Sequence, residues 1–153
     1  MKPSLDATAL YHAWEQLDNG SRARLRRTAT PDELLDIPAF YALVSPFGWP
    51  EQRHALLRIV FCLACGKITP AADTSLSLGK VLAKGEKVSA QRIYQLLRMA
   101  SPQDMIQLRR LLIHAEPTLH WPSLAKQLHW WGKSDRRALL EDFVLSMPKK
   151  DHA

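Results

Sequence analysis

The 153-residue chain holds two cysteines and six glycines. No apolar run in it approaches the roughly 18 to 20 residues that a membrane span needs. The longest runs from Ile59 to Cys65 and is bounded by Arg58 and Lys67. The opening stretch MKPSLDATAL lacks the apolar h-region of a secretion signal, so a cytosolic protein with no membrane partner is expected. With glycine this scarce there is no glycine-rich loop to cradle a phosphate. The cysteines, Cys62 and Cys65, form a C-x-x-C. A redox pair of that kind follows a strand and opens a helix, where the dipole lowers the thiol pKa. Here it closes an apolar helical stretch, and no second pair stands at zinc-ligand spacing. Two core cysteines are expected.

Other chemistry is missing too. His114, His120 and His129, with Glu116 among them, are separated by Pro117 and Pro122 in a pattern that fits no metal site. Glu141 and Asp142 are neighbours on a helix and diverge by about 100°, so they do not make an acid–base pair. No Ser-His-Asp arrangement is visible. The expectation is a protein without catalytic residues, metal or cofactor.

What the chain has in plenty is positive charge, +6 net with a pI near 9.6. Residues 1–76 carry 8 Lys or Arg against 8 Asp or Glu, whereas 77–153 carry 13 against 7. The excess therefore lies in the second half and argues for a basic face directed at an anionic partner. A hydrophobic content of 46% against 24% charged residues is that of a folded chain.

The periodicity is helical throughout. Leu5, Ala9, Ala13, Trp14 and Leu17 mark a first helix, with Asn19-Gly20 as its stop. Thr30-Pro31-Asp32-Glu33 has the form of a capping box with proline at the first helical position. Pro38 opens AFYALV, and Pro46-Phe47-Gly48-Trp49-Pro50 breaks it. A strongly apolar helix spans 51–65 and stops at Gly66. The stretch 67–75, KITPAADTS, is expected to be a flexible loop. Further helices follow over 76–83, from Ser89 to Met99, from the SPQD start at Ser101 to Glu116-Pro117, from Pro122 to Trp131 closed by Gly132, and from Ser134 to about Pro148. The fold class is all-α, a compact bundle of about eight helices of uneven length. Residues 1–148 are expected to form one domain and 149–153 a tail.

The segment SRARLRR, 21–27, sets Arg22, Arg24, Arg26 and Arg27 around a helical turn with Leu25 opposite. It is either a solvated face or a surface for an anion. Arg53 stands in the first turn of the apolar helix. Lys80, Lys84 and Lys87 form a stripe if the helix continues past Ala83. Arg92, Arg109, Arg110, Lys126, Lys133, Arg136 and Arg137 lie on or beside later helices. Few of these have an acid one turn away, so they are available for phosphates. Of the adjacent pair Trp130-Trp131 at most one can point straight into the core. The other is left for a subunit contact or for stacking on a base.

Seven stretches in order, ALYHAWEQLDNGSRARLRR, DIPAFYALVSPFGW, LLRIVFCLACGK, RIYQLLRM, QLRRLLIHAEPTLHWP, LHWWGK and LLEDFVL, together resemble the small subunit of the type I-E CRISPR surveillance complex, Cascade (the CasB family). The resemblance runs from about residue 5 to 146. It implies a helical, non-enzymatic protein present as two copies along the belly of the complex. There it would contact the backbone subunits that hold the guide RNA and the large subunit, and keep the displaced non-target DNA strand from re-annealing. In such effectors base pairing reads sequence while protein contacts tip a nearly balanced strand exchange. The positions matching the family are Arg26, Arg27, Arg53, Arg92, Arg109, Arg110 and Lys133, with most weight on Arg27, Arg53, Arg92, Arg110 and Lys133. Arg22, Arg24 and the 80–87 lysines are charge beyond the motif. The 67–75 connection is shorter and less charged than relatives can carry, so no strand contact is assigned to it. Two other readings stand beside this one. One is a structural adaptor whose basic residues meet acidic neighbours. The other is a free-standing nucleic-acid binder, disfavoured because no helix-turn-helix with a recognition helix is visible.

Overall fold

The computed structural model describes residues 5–148, so the expected tail at 149–153 lies outside the described residues. Among the described residues nine α-helices follow one another: α1 (Ala7–Gln16), α2 (Asn19–Arg26), α3 (Pro38–Val44), α4 (Arg53–Leu63), α5 (Leu78–Gly85), α6 (Ala90–Arg98), α7 (Gln103–Ala115), α8 (Trp121–Trp130) and α9 (Lys133–Ser146). Short 3-10 turns occupy Pro31–Asp36 and Ser45–Phe47, and two-residue strands β1 (Thr69–Pro70) and β2 (Thr118–Leu119) pair in parallel.

Several helices begin where a short polar side chain meets an orphan amide. Asp6 accepts from the Ala9 N–H at 2.9 Å, Asp18 from Ser21 at 3.0 Å, and Ser89 from Arg92 at 3.2 Å. The Asp18 cap moves the first break. Asn19 and Gly20, expected to end a helix, instead form the first turn of α2, and the chain turns at Leu17–Asp18. At the 3-10 turn Thr30 makes no side-chain cap, and Glu33 instead reaches back to the Ala29 N–H at 3.2 Å. Helix α9 starts one residue before Ser134, with Asp135 accepting from the Gly132 N–H at 2.9 Å.

Helix α4 is the axis of the core. Ala55 to Leu63 are buried except Arg58, as an element covered on several sides must be. Helices α7, α8 and α1, with the 3-10 turn Pro31–Asp36, supply much of the remaining apolar side chains. Both cysteines lie in this core, and burial raises both thiol pKa values, which leaves them unreactive.

Helix α5 packs against α9 at close range because of Gly79. A Cβ there would stand 2.5 Å from the Leu139 carbonyl oxygen and 2.8 Å from Asp142 Cβ. The 67–75 segment is tied down rather than loose. The Thr69 N–H donates to the Pro117 carbonyl at 2.9 Å and the Ala71 N–H to Leu119 at 2.8 Å. Helix α5 ends at Gly85 with Glu86 left-handed, so Lys87 leaves the stripe expected for Lys80 and Lys84.

Candidate nucleic-acid interface

The cations divide into two populations. Three arginines are consumed by the fold. Arg58 on α4 donates through Nε to the Leu128 carbonyl at 2.7 Å and through Nη2 to His129 at 2.6 Å. It thereby satisfies the last carbonyls of α8 with a cation where the helix dipole favours one. Burial pushes its pKa down, Asp104 and Asp135 oppose that, and it stays charged.

Arg109 on α7 lies 3.9 Å above the Phe61 ring and donates to the Thr28 hydroxyl at 3.3 Å and to the Thr28 carbonyl. Arg136 on α9 pairs with buried Asp104 at 2.8 Å, donates to the Leu97 and Met99 carbonyls at 3.2 and 3.1 Å, and sits 5.1 Å from the Trp131 ring. Asp104 also accepts from Trp131 Nε1 at 3.1 Å. The ends of α6, α7 and α8 are thus clamped to the first turns of α9.

These three shared a visible mark. Arg58 lies between Ala55 and Cys62, Arg109 between Met105 and Leu112, and Arg136 three residues before Leu139. Each stands at three- or four-residue spacing from buried apolar positions, so each points along the inward stripe of its helix. Intrahelical acid spacing does not detect a cation whose partners are carbonyls of another element.

The second population is solvent-facing. Arg26, Arg27, Arg53, Arg92, Arg110 and Lys133 are all exposed. Among the described residues none of their side chains makes an ion pair, and the three ion pairs present involve other groups. Arg26 and Arg27 close α2, whose buried Leu25 fixes which way they face. Arg27 stands next to Thr28, the residue that Arg109 grips, so α7 holds the end of α2 in place. Arg110, one residue on from Arg109, turns away from the core. Arg53 opens α4 with its guanidinium 5.5 Å from the Trp49 ring. Arg92 stands in the first turn of α6, and Lys133 opens α9 beside the Asp104 clamp.

Trp130 and Trp131 part company as adjacent helical residues must. Helix α8 ends at Trp130, and Trp131 rather than Gly132 takes the left-handed conformation, with φ +48°. Trp131 is buried and Trp130 is 76% exposed. Trp130 borders a groove of about 850 Å³ between α8, α4 and the start of α1. On its wall His129 donates through Nε2 to Gln52 Oε1, 2.8 Å away, while its Nδ1 is buried without a partner. Burial, with Arg58 adding to it, lowers the His129 pKa.

Among the described residues no three His, Cys, Asp or Glu side chains gather to hold a metal ion, and no helix is long and apolar enough to cross a membrane.

Comparison with known proteins bears on what such a surface serves. Residues 21–143 match the family model described as CRISPR-associated protein Cse2. A curated relative, the CRISPR system Cascade subunit CasB of Escherichia coli strain K12, is 54% identical over 97% of this chain and 99% of its own length. A chain in the crystal structure of E. coli Cascade bound to a PAM-containing dsDNA target superposes with a TM-score of 0.92. It is 55% identical, over 96% of this chain and 99% of that one.

Proposed function

The chain belongs to the CRISPR-associated Cse2 family, and from that premise we propose that it is the small subunit of a type I-E Cascade complex that holds the displaced non-target strand of the R-loop. It works beside the backbone and large subunits with their guide RNA, with a second copy of itself in the complex. Its role is non-enzymatic, without metal or cofactor, and cytosolic.

The observation that carries this reading is the set of six exposed cations, Arg26, Arg27, Arg53, Arg92, Arg110 and Lys133, left without acidic partners on five different helices. A fold that needed these charges for its own stability would have paired them, as it did Arg136. Spread over several elements and free of a recognition helix, they suit a phosphate backbone rather than base edges. Arg109 joins them indirectly, by fixing the end of α2 through Thr28. Exposed Trp130 supports packing against another subunit.

Strand exchange in an R-loop is close to energetic balance, so a few phosphate contacts decide its lifetime. Holding about four to six phosphates predicts a log–log salt slope of roughly −3 to −4 for single-stranded DNA. The affinity of the isolated subunit is expected to be weak, since the complex supplies effective concentration.

The test is the R-loop lifetime on a supercoiled target, in a complex reconstituted with Arg27, Arg53 and Arg110 all changed to alanine. At roughly 0.5 kcal/mol per contact, loss of three should shorten the lifetime about tenfold while initial recognition, made by base pairing, holds. An unchanged lifetime with assembly intact by gel filtration would reject strand holding and favour the adaptor reading, in which these cations meet neighbouring proteins.

A further inference from the structure

A second basic feature joins Arg26, one of the family's matching positions, to Arg22, which lies outside them. Arg22 and Arg26 are one turn apart and both line a notch of about 330 Å³ bounded by α1, α2 and the turn after α4. That is over twenty times the roughly 10–15 Å³ that admits one water molecule. Arg22 donates through Nη2 to Asn19 Oδ1 at 2.5 Å, which holds its guanidinium on this face. Arg26 has no side-chain partner among the described residues. Like charges one turn apart repel, so the helix carries a strain that an anion between them would relieve.

The opposite wall carries Gly66. Gly66 takes the left-handed conformation, φ +73°, and a Cβ on it would lie 3.5 Å from Arg26 Nη1. Tyr11 donates its hydroxyl to the Ile68 carbonyl at 3.2 Å, and buried Trp14 closes the floor. One carboxylate, Glu15, shares the notch, and its Oε1 is 3.2 Å from His12 Nδ1. Lys67 beside it is taken by Glu116 at 3.6 Å. Two guanidiniums therefore face one carboxylate that is already engaged.

We propose that this notch is a phosphate subsite that takes one phosphodiester of a nucleic-acid strand between Arg22 and Arg26. The proposal rests on the strand-binding reading above and adds to it a defined pocket and a residue, Arg22, that the family pattern does not require. Guanidinium forks match phosphate oxygens in two-point contacts. Trp14 is buried and the half-buried Tyr11 is held by its hydroxyl on the Ile68 carbonyl, so the pocket reads backbone and not sequence.

Gly66 offers a test that leaves both arginines in place. Asn and Asp tolerate the left-handed region better than other residues with a side chain, and a side chain there grows toward Arg26. Gly66→Asp puts a carboxylate where the phosphate would sit, and Gly66→Asn has the same shape without charge. The full-length chain is titrated with a fluorescent oligothymidylate across a salt series.

Gly66→Asp and Arg22→Gln should each flatten the log–log slope by about 0.7 and weaken low-salt binding roughly three- to fivefold. Gly66→Asn should stay within about twofold of wild type at the same slope. Inorganic phosphate should compete with the strand in wild type, and less well in Arg22→Gln. A wild-type slope of roughly −3 to −4 that neither Gly66→Asp nor Arg22→Gln alters would overturn the subsite and leave strand binding standing. A wild-type slope of zero would overturn both.

Discussion

Asp104 is the buried end of a clamp, and its removal should be felt across four helices. Its side chain is 4% exposed and one oxygen accepts from both Arg136 Nη2 and Trp131 Nε1, while the other meets the Met105 N–H at 2.7 Å. Changing Asp104 to alanine leaves the indole N–H without an acceptor, worth about 1 kcal/mol or more. It also strips its counter-ion from Arg136, whose side chain is only 24% exposed. Breaking a buried pair from one side costs about 3–5 kcal/mol. Arg136 keeps the Leu97 and Met99 carbonyls, so the lower end of that range, about 3 kcal/mol, is the expected loss. For a chain of this length each kcal/mol moves Tm by about 2–4 °C, so the melting point should fall by roughly 6–12 °C. Urea denaturation of wild type, Asp104→Ala, Arg136→Met and the double variant closes a double-mutant cycle. The double variant should recover part of the loss, because no uncompensated charge remains. A loss below about 1 kcal/mol in Asp104→Ala, or strict additivity in the cycle, would refute the clamp. In Arg136→Met that still folds, the salt slope for single-stranded DNA should be unchanged, because this guanidinium is not offered to solvent.

Three further expectations follow from single contacts. Gly79→Ala forces a Cβ onto the α9 backbone and should cost about 1–3 kcal/mol in urea; a neutral result would mean that α5 and α9 part easily. Arg109→Lys keeps the charge but loses the two-point grip on Thr28, so it should lower stability by roughly 1–2 kcal/mol while the salt slope holds; a flatter slope at unchanged stability would make Arg109 a phosphate ligand. His129 has a lowered pKa in the folded state, so its contribution is fully present above the unfolded value near 6.5 and is lost as pH falls through that value toward the folded one. The urea midpoint of wild type should drop between about pH 7.5 and 5.5 more than that of His129→Gln, and equal drops would show that His129 titrates without consequence.

The helices were legible because each repeats its apolar side chains at three- and four-residue spacing, and Pro38 and Ser89 mark their own starts. Misplaced boundaries came from rules that tertiary contacts overrode. Asn19-Gly20 has the composition of a stop, but Asp18 caps the following turn. Trp131 takes the left-handed position ahead of Gly132 because its indole is held by Asp104. The 69–70 and 118–119 pair was invisible, since two residues of ladder carry no alternation to detect. The candidate surface was legible as a list of cations but not as a sorted one. Arg58, Arg109 and Arg136 are distinguished from Arg110 and Arg137 by helical phase, which the sequence carries. Arg53 shares the buried phase, three and four residues before Leu56 and Leu57, and is exposed because it opens α4.

The short parallel bridge between Thr69–Pro70 and Thr118–Leu119 has a consequence for how the molecule opens. Helices α5, α6 and α7 lie between its two halves, so the bridge closes a loop of roughly 50 residues at its base. Contacts so far apart in sequence are slow to form, and a base this narrow is easily unfastened. The Thr69 and Ala71 amides, bonded across it, should therefore exchange with solvent well before those of α4. That opening stays local, because α5 remains packed on α9 through Gly79 and α7 remains in the core beside α4. The bridge is thus a seam where the chain can breathe without any helix leaving its neighbours.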